Sequence, residues 1–369
     1  MAGTFEYSNP TRISYGLGCL SELPDLVDRL GGRRPLLVST APVVENPSLM
    51  ALLEENLPSP VVGIATIGGH APLREVEAAL SQRTALAADL VISLGGGGPI
   101  DAAKAVARGE LAAAARVGAA SQSGQTDFTP AGLPHIAVPT TLAAAELSWR
   151  AGFSNAVGDK VGFADRAMLP VQVFYEPRLA VFTPVNLWFA TGIRAIDHAV
   201  EGFLSPGDHP FSDVLALEAI ARMIGALRAT AVDPGDLLAR SEAQLAAWFS
   251  YTLPLSSMTG LSHQMGKQIG ARHGIGHGET SALLLPHVMR YRAERDPERS
   301  AVLDAALNRI DGRGLTAAER VAELVADLGL PRQIASFGVA AQDLRRAAEE
   351  IATADYPADD LSAIYLAAL

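Results

Sequence analysis

In the first half of the chain, short aliphatic segments alternate with segments of helical periodicity. The aliphatic segments lie at residues 35–39, 61–67, 89–94, 135–138 and 171–175. Residues 72–80 and 101–109 show helical patterns between them. Strands that alternate with helices in this way form βαβ units, whose strands lie parallel in one sheet. This half is therefore predicted to be an α/β domain.

After Pro177 the sequence changes to long helical patterns rich in alanine and leucine. These patterns cover residues 186–204, 210–227, 236–252, 315–328 and 341–353. We predict an α/β domain over residues 1–178 and an all-helical domain over residues 179–369. A length of 369 residues with 49% hydrophobic content suffices for two domains with large cores.

Composition excludes several classes of partner. The net charge of -11 is the wrong sign for attraction to a nucleic-acid backbone, so no nucleic-acid partner is expected. Cys19 is the single cysteine, which rules out an intramolecular disulfide and fits a reducing cytoplasm. Charge, glycine or proline interrupts every apolar stretch, and the first residues lack a signal-peptide pattern. We expect a cytoplasmic protein without membrane association.

Two segments carry polar or glycine residues directly after predicted strands. Gly95–Gly98 lie between an aliphatic segment and a helix, where backbone amides can approach a diphosphate. The run does not match G-x-G-x-x-G, and a tight turn is the alternative interpretation. Thr140 and Thr141 end another predicted strand, at the sheet edge where ligands bind, although they could instead cap a turn.

Three histidines have spacing that suggests a shared site. His198 lies in one helical pattern, and His263 and His277 lie in a later segment. Glycines at 270, 274, 276 and 278 indicate a break that would bring the last two together. Three imidazoles from two helices could bind zinc or iron, whereas ordinary packing is the usual role of a single helical histidine.

Taken together, these segments resemble the iron-containing (group III) alcohol dehydrogenase family. The order and spacing of the motifs match from Pro10 to Pro331. The motifs are GGGGPIDAAK at 95–104, PTT at 139–141, AIDHAVE at 195–201, GLSH at 260–263 and GHG at 276–278. Within the family, the maleylacetate reductase branch is most similar. That similarity rests on LVST at 37–40, HAP at 70–72, TLAAAE at 141–146, and Lys160 with Asp165 and Leu169-Pro170.

The resemblance implies a dinucleotide-binding domain, a helical domain and an active site in the cleft between them. It implies NAD or NADP as cofactor, bound by Thr40, Gly95, Gly96, Gly97, Gly98, Asp101, Thr140, Thr141 and Lys160. Thr40 stands where NAD-specific relatives have an acidic residue, so weak discrimination between the two cofactors is expected. We also expect a homodimer.

Two positions depart from the family pattern. Metal-dependent members have an aspartate four residues before the first histidine, where this chain has Arg194. Asp197 is one residue before His198 and points about 100° around the helix from it, so Asp197 cannot simply replace the family's aspartate. A guanidinium there would repel a divalent cation, so we expect no metal. If one binds, the resemblance assigns it to His198, His263 and His277.

The second departure is Lys267, where many members have another histidine. It shares a helix face with His263, and a partly desolvated lysine can donate a proton. A solvated lysine at the cleft rim is the alternative. Both changes add positive charge, which predicts an anionic substrate. The predicted catalytic set is Arg194, His198, His263, Lys267 and His277.

These features predict an NAD(P)H-dependent reductase acting on a small carboxylate-bearing carbonyl or conjugated keto-acid substrate. Members of the branch reduce a carbon–carbon double bond next to a keto acid. A non-redox enzyme or a ligand-binding pseudoenzyme on the same scaffold is one alternative, since fold does not fix function. A metal-dependent alcohol dehydrogenase is another.

Overall fold

The computed structural model describes residues 12–109, 132–155, 160–207, 209–251 and 260–369. Pro10 and Thr11 of the family-like pattern lie outside these ranges, as does the side chain of Lys160. The chain divides into two compact units, with the division between Thr183 and Pro184. The sequence analysis placed this boundary near residue 178.

The first unit contains a six-stranded parallel sheet and a two-stranded hairpin. The sheet has the strand order β1-β8-β5-β4-β2-β3, and β6 pairs with β7 in antiparallel register. The strands are β1 (Ile13–Tyr15), β2 (Pro35–Ser39), β3 (Gly63–Thr66), β4 (Leu90–Gly95), β5 (His135–Pro139), β6 (Arg150–Ser154), β7 (Lys160–Ala164) and β8 (Gln172–Tyr175). The prediction of a parallel α/β sheet is confirmed. The short strands β1, β6 and β7 were not predicted, because three to five residues give little periodicity, and β6 and β7 also contain glycine and charge.

Helices cover both faces of this sheet. They are α1 (Leu23–Arg29), α2 (Ala41–Val44), α3 (Pro47–Glu54), α4 (Leu73–Ala85), α5 (Gly97–Arg108) and α6 (Pro177–Ala180). Alternate strand residues pack on opposite faces, as the two-residue period of a strand requires. Leu36 and Val38 join a core with α4 and α5, whereas Leu37 joins a core with α1 and α3. Burial on both faces explains why these strands are continuously aliphatic.

The second unit is built of helices throughout its described residues. They are α7 (Val185–Phe203), α8 (Pro210–Val232), α9 (Leu237–Ser250), α10 (Leu261–His273), α11 (His277–Arg295), α12 (Pro297–Asp311), α13 (Ala317–Asp327), α14 (Ala341–Ile351) and α15 (Ala358–Ala367). The all-helical prediction for this half is confirmed. No helix in the described part of the chain is long and apolar enough to cross a membrane.

One core of the helical unit joins α10, α11, α14 and α15. Met265 and Leu284 are fully buried there, together with Leu344 and Tyr365. The Tyr365 hydroxyl donates to the backbone carbonyl of Met265 at 2.8 Å, which ties α15 to α10. These contacts fix the two helices, α10 and α11, that carry His263 and His277.

Candidate functional site

The α/β unit presents three neighbouring strand ends at one sheet edge. Strands β5, β4 and β2 are adjacent and parallel, so Thr140, Gly95 and Thr40 lie at their carboxyl ends, on the same edge of the sheet. The chain runs from β2 outward to β3 and then returns to β4 on the other side of β2. Ligands of open α/β sheets bind at such a switch point, outside the carboxyl ends of the strands.

The glycine run forms the turn from β4 into α5. Gly95 has a φ of 140°, a conformation that side chains disfavour. Gly96 is the N-cap of α5, and no side chain caps this helix end. A Cβ at Gly96 would lie 3.1 Å from both Cγ2 and Oγ1 of Thr141. The uncapped amides and the close approach of Thr141 fit a dinucleotide pyrophosphate.

Asp101, a predicted cofactor-binding residue, makes two hydrogen bonds within its own unit. Its Oδ2 accepts the backbone N–H of Gly152 at 3.0 Å, and its Oδ1 accepts from the Lys104 ammonium at 3.0 Å. Lys104 is fully buried and also donates to the carbonyls of Ala145 at 2.7 Å and Arg150 at 2.6 Å. Asp101 and Lys104 therefore hold the segment after Thr141 against α5. The sequence analysis missed this role of Lys104, although its motif ends at that residue.

In the helical unit, the three predicted histidines lie on three helices and not on two. His198 is on α7, His263 on α10 and His277 at the start of α11. The ring centroids of His198 and His263 are 4.9 Å apart. The break between α10 and α11 lies at residues 274–276, and Gly274 has a φ of 65°.

Burial favours the neutral form of both histidine rings. Burial lowers the pKa of His198 well below its usual value, and the charges of Arg194, Lys267 and His277 add to this effect. Burial also lowers the pKa of His263 to about 3, with Arg194 contributing. Lys267 is exposed on α10, one turn after His263, and its charge acts on both rings.

Glu201 is a buried acid that the sequence analysis did not select. Its Oε1 accepts the backbone N–H groups of Ser262 at 2.5 Å and His263 at 3.3 Å, and its Oε2 contacts Nδ1 of His263. A Cβ at Gly260 would lie 2.2 Å from the Glu201 carboxyl carbon, so a larger residue at this position would displace the Glu201 carboxyl group. Burial raises the pKa of Glu201 to about 7. The available signal was the four-residue spacing from Asp197, which places both acids on one helix face.

Arg194 and Asp197 form a buried ion pair within α7. Nη1 of Arg194 lies 3.6 Å from Oδ2 of Asp197 and donates to Oγ of Ser281 at 3.2 Å. Oδ2 of Asp197 accepts the hydroxyl protons of Ser281 at 2.5 Å and Ser262 at 3.0 Å. Burial raises the pKa of Asp197 and lowers that of Arg194. The Arg194 side chain keeps 11% of its surface exposed.

These residues do not fit the four-ligand metal site that the resemblance implies. Arg194 occupies the position of the acidic ligand, and in addition to burial its positive charge lowers the pKa of His198 and His263. Asp197, Glu201 and His263 offer ligand atoms within 4.8 Å of one another. However, both carboxylates already accept protons from hydroxyl or backbone N–H groups.

Sequence profiles of one enzyme family match both units. The profile described as iron-containing alcohol dehydrogenase matches residues 10–177. The profile described as the C-terminal part of the Fe-containing alcohol dehydrogenase family matches residues 188–361.

Individual relatives cover nearly the whole chain. A maleylacetate reductase of Pseudomonas sp. (strain P51) is 30% identical over 94% of this chain and 90% of its own length. A maleylacetate reductase of Pseudomonas aeruginosa is 30% identical over 95% of this chain and 92% of its own length. The crystal structure of maleylacetate reductase from Agrobacterium tumefaciens has a TM-score of 0.82 and 27% identity, covering 100% of this chain and 99% of that one. The structure of a 1,3-propanediol oxidoreductase has a TM-score of 0.84 and 25% identity, with full coverage of both chains.

Proposed function

Because the chain belongs to the iron-containing alcohol dehydrogenase family and is an NAD(P)-dependent oxidoreductase, we propose that it reduces a small carboxylate-bearing carbonyl or conjugated keto acid. NADH or NADPH is the reductant. The similarity to several maleylacetate reductases makes maleylacetate the first substrate to test.

The glycine run supports the cofactor part of this proposal. The cofactor, when bound, supplies the hydride. The chain's own task is to hold the pyrophosphate, for which Gly96 to Gly98 offer uncapped amides at the start of α5. Thr40, Thr140 and Thr141 lie at the same sheet edge, where they can contact the rest of the dinucleotide.

The observation that carries the substrate class is the partly exposed guanidinium of Arg194. In addition to burial, its positive charge lowers the pKa of both His198 and His263, which places the guanidinium near these two rings. A planar guanidinium can bind a carboxylate through two parallel hydrogen bonds. Lys267 adds a second positive charge to the same region. A carboxylate substrate would be attracted by this positive charge, whereas a neutral substrate would not.

We further propose that the reaction proceeds without a divalent metal. Arg194 supplies at this position the positive charge that a metal supplies in metal-dependent members. The substrate oxygen or carbon that gains negative charge needs a proton, and Lys267 is the proposed donor, while the neutral His263 is proposed to contact the substrate. His198 and His277 contribute to substrate binding.

The test compares each acid substrate with its neutral ester, with NADH oxidation as the readout. The wild type is expected to prefer the acid. Arg194→Ala should lower kcat/KM for the acid by roughly ten- to a hundredfold and leave the ester unchanged, the size of one charge-assisted contact. Arg194→Lys should recover only part of the loss, because the bidentate geometry is missing. Equal turnover of acid and ester by the wild type would refute the proposed substrate class.

Fluorescence titration with NADH and NADPH separates this function from a non-redox use of the scaffold. The proposal predicts binding of at least one of the two cofactors. Failure to bind either would favour a ligand-binding pseudoenzyme or a non-oxidative enzyme.

A further inference from the structure

We propose that Ser281, together with Asp197, is a positioning residue that presents the Arg194 guanidinium to the substrate carboxylate. This inference rests on the proposed function of Arg194. It assigns the preference for acid substrates to a hydrogen-bonded bridge from Ser281 on α11 to Arg194 and Asp197 on α7, and not to Arg194 alone.

The Ser281 hydroxyl is engaged in both directions. Its oxygen accepts from Nη1 of Arg194 at 3.2 Å, and its proton goes to Oδ2 of Asp197 at 2.5 Å. The serine is 1% exposed and the aspartate 0%. The direct separation between Arg194 and Asp197 is 3.6 Å, which is too long for a hydrogen bond, so the hydroxyl is what links them.

The bridge occupies only one edge of the guanidinium. In the part of the helical unit that the structure describes, the donation to Ser281 is the one hydrogen bond that the Arg194 side chain makes. Nε and Nη2 are left for a ligand, and two parallel N–H groups match the two oxygens of a carboxylate. Holding Nη1 also lowers the side-chain entropy that is lost when the ligand binds.

The bridge depends on close contact between α7 and α11. A Cβ at Gly278 would lie 2.4 Å from the backbone carbonyl of Ala190, so only glycine allows this approach. Ser281 follows Gly278 by almost one turn of α11, and Arg194 follows Ala190 by one turn of α7. The glycine contact therefore brings the serine within reach of the arginine.

The test is Ser281→Ala, measured with an acid substrate and its neutral ester. Loss of the bridge should raise KM for the acid and lower its kcat/KM by about three- to tenfold, the effect of one hydrogen bond. The kcat for the acid, the kinetics of the ester and the affinity for NADH should stay close to wild type. Ser281→Thr keeps a hydroxyl and should retain most of the acid preference. Ser250→Ala is the matched control, since Ser250 is equally buried and donates to the Ala247 carbonyl.

A double mutant shows whether the serine acts through Arg194. If it does, Ser281→Ala in the Arg194→Ala background produces no further loss of the acid-to-ester ratio. An equal loss on acid and ester, an unchanged ratio in the single variant, or a further loss in the double mutant would overturn the inference. The proposed function fails separately, by an unchanged ratio in Arg194→Ala alone.

Discussion

At the scale of single residues, the helical unit gathers two buried acids around one arginine and two neutral imidazoles. Arg194, His198 and His263 were selected as site residues through the family resemblance, and the structure places them near one another. The partners that orient them were not predicted. Ser262 and Ser281 have no distinguishing spacing, and the contact of the Asp197 carboxylate with both hydroxyls was not predicted. Such pairings depend on contacts between helices, which periodicity does not encode.

Glu201 should make the stability of the protein depend on pH. Its pKa is about 7 in the folded state and near 4.5 in the unfolded chain, so the folded state binds the proton more readily. The free energy of unfolding of the wild type, relative to Glu201→Gln, is therefore expected to fall as pH rises from 4 to 8. The expected fall is about 3 kcal/mol, and it should be nearly complete by about pH 8. Urea unfolding at each pH measures it.

Glu294→Gln is the control for that series, because it makes the same substitution on an exposed side chain of α11. It should change stability by less than about 0.5 kcal/mol at either pH. A constant stability difference between wild type and Glu201→Gln across the range would show that Glu201 is not held protonated by burial.

At the scale of elements, glycines determine how closely the helices approach. The sequence analysis interpreted the glycines at 270, 274, 276 and 278 as one helix break. The structure places the break at 274–276 only, and Gly270 and Gly278 lie inside α10 and α11. There they admit close neighbours, since a Cβ at Gly270 would lie 2.9 Å from the Ile275 carbonyl oxygen. In this segment, two of the four glycines therefore allow close backbone packing and do not break a helix.

Gly278→Ala should separate α7 from α11. Its Cβ would collide with backbone atoms of Ala190, which cannot rotate away. We expect a loss of about 1–3 kcal/mol in stability and a lower acid-to-ester ratio, because Ser281 moves away from Arg194. Thermal unfolding and NADH oxidation measure the two effects.

Gly225→Ala on α8 is the matched substitution, since nothing lies within 4 Å of the added Cβ. It should leave activity unchanged and stabilise the protein by up to about 1 kcal/mol, owing to the higher helix propensity of alanine. Equal effects of the two substitutions would contradict the role given to close helix contact.

At the scale of the whole molecule, the proposed function assigns cofactor binding to the first unit and substrate binding to the second. The parallel sheet and the helices of the second unit were predictable from sequence, because aliphatic and helical periodicities are strong over long segments. For example, the helix predicted at 186–204 is found at Val185–Phe203. The glycine run before α5 was also placed correctly, at the carboxyl end of a strand. The local role of Asp101 was not predicted, because it depends on a buried lysine from the same helix.

The central claim is that a guanidinium takes the place of a metal in a family whose name refers to iron. It is tested most directly by the rate of NADH or NADPH oxidation with maleylacetate after exhaustive dialysis against a chelator, with the metal content measured by elemental analysis. The account predicts an undiminished rate at a metal content far below one ion per chain. A rate that disappears with the metal and returns when iron or zinc is restored would contradict it.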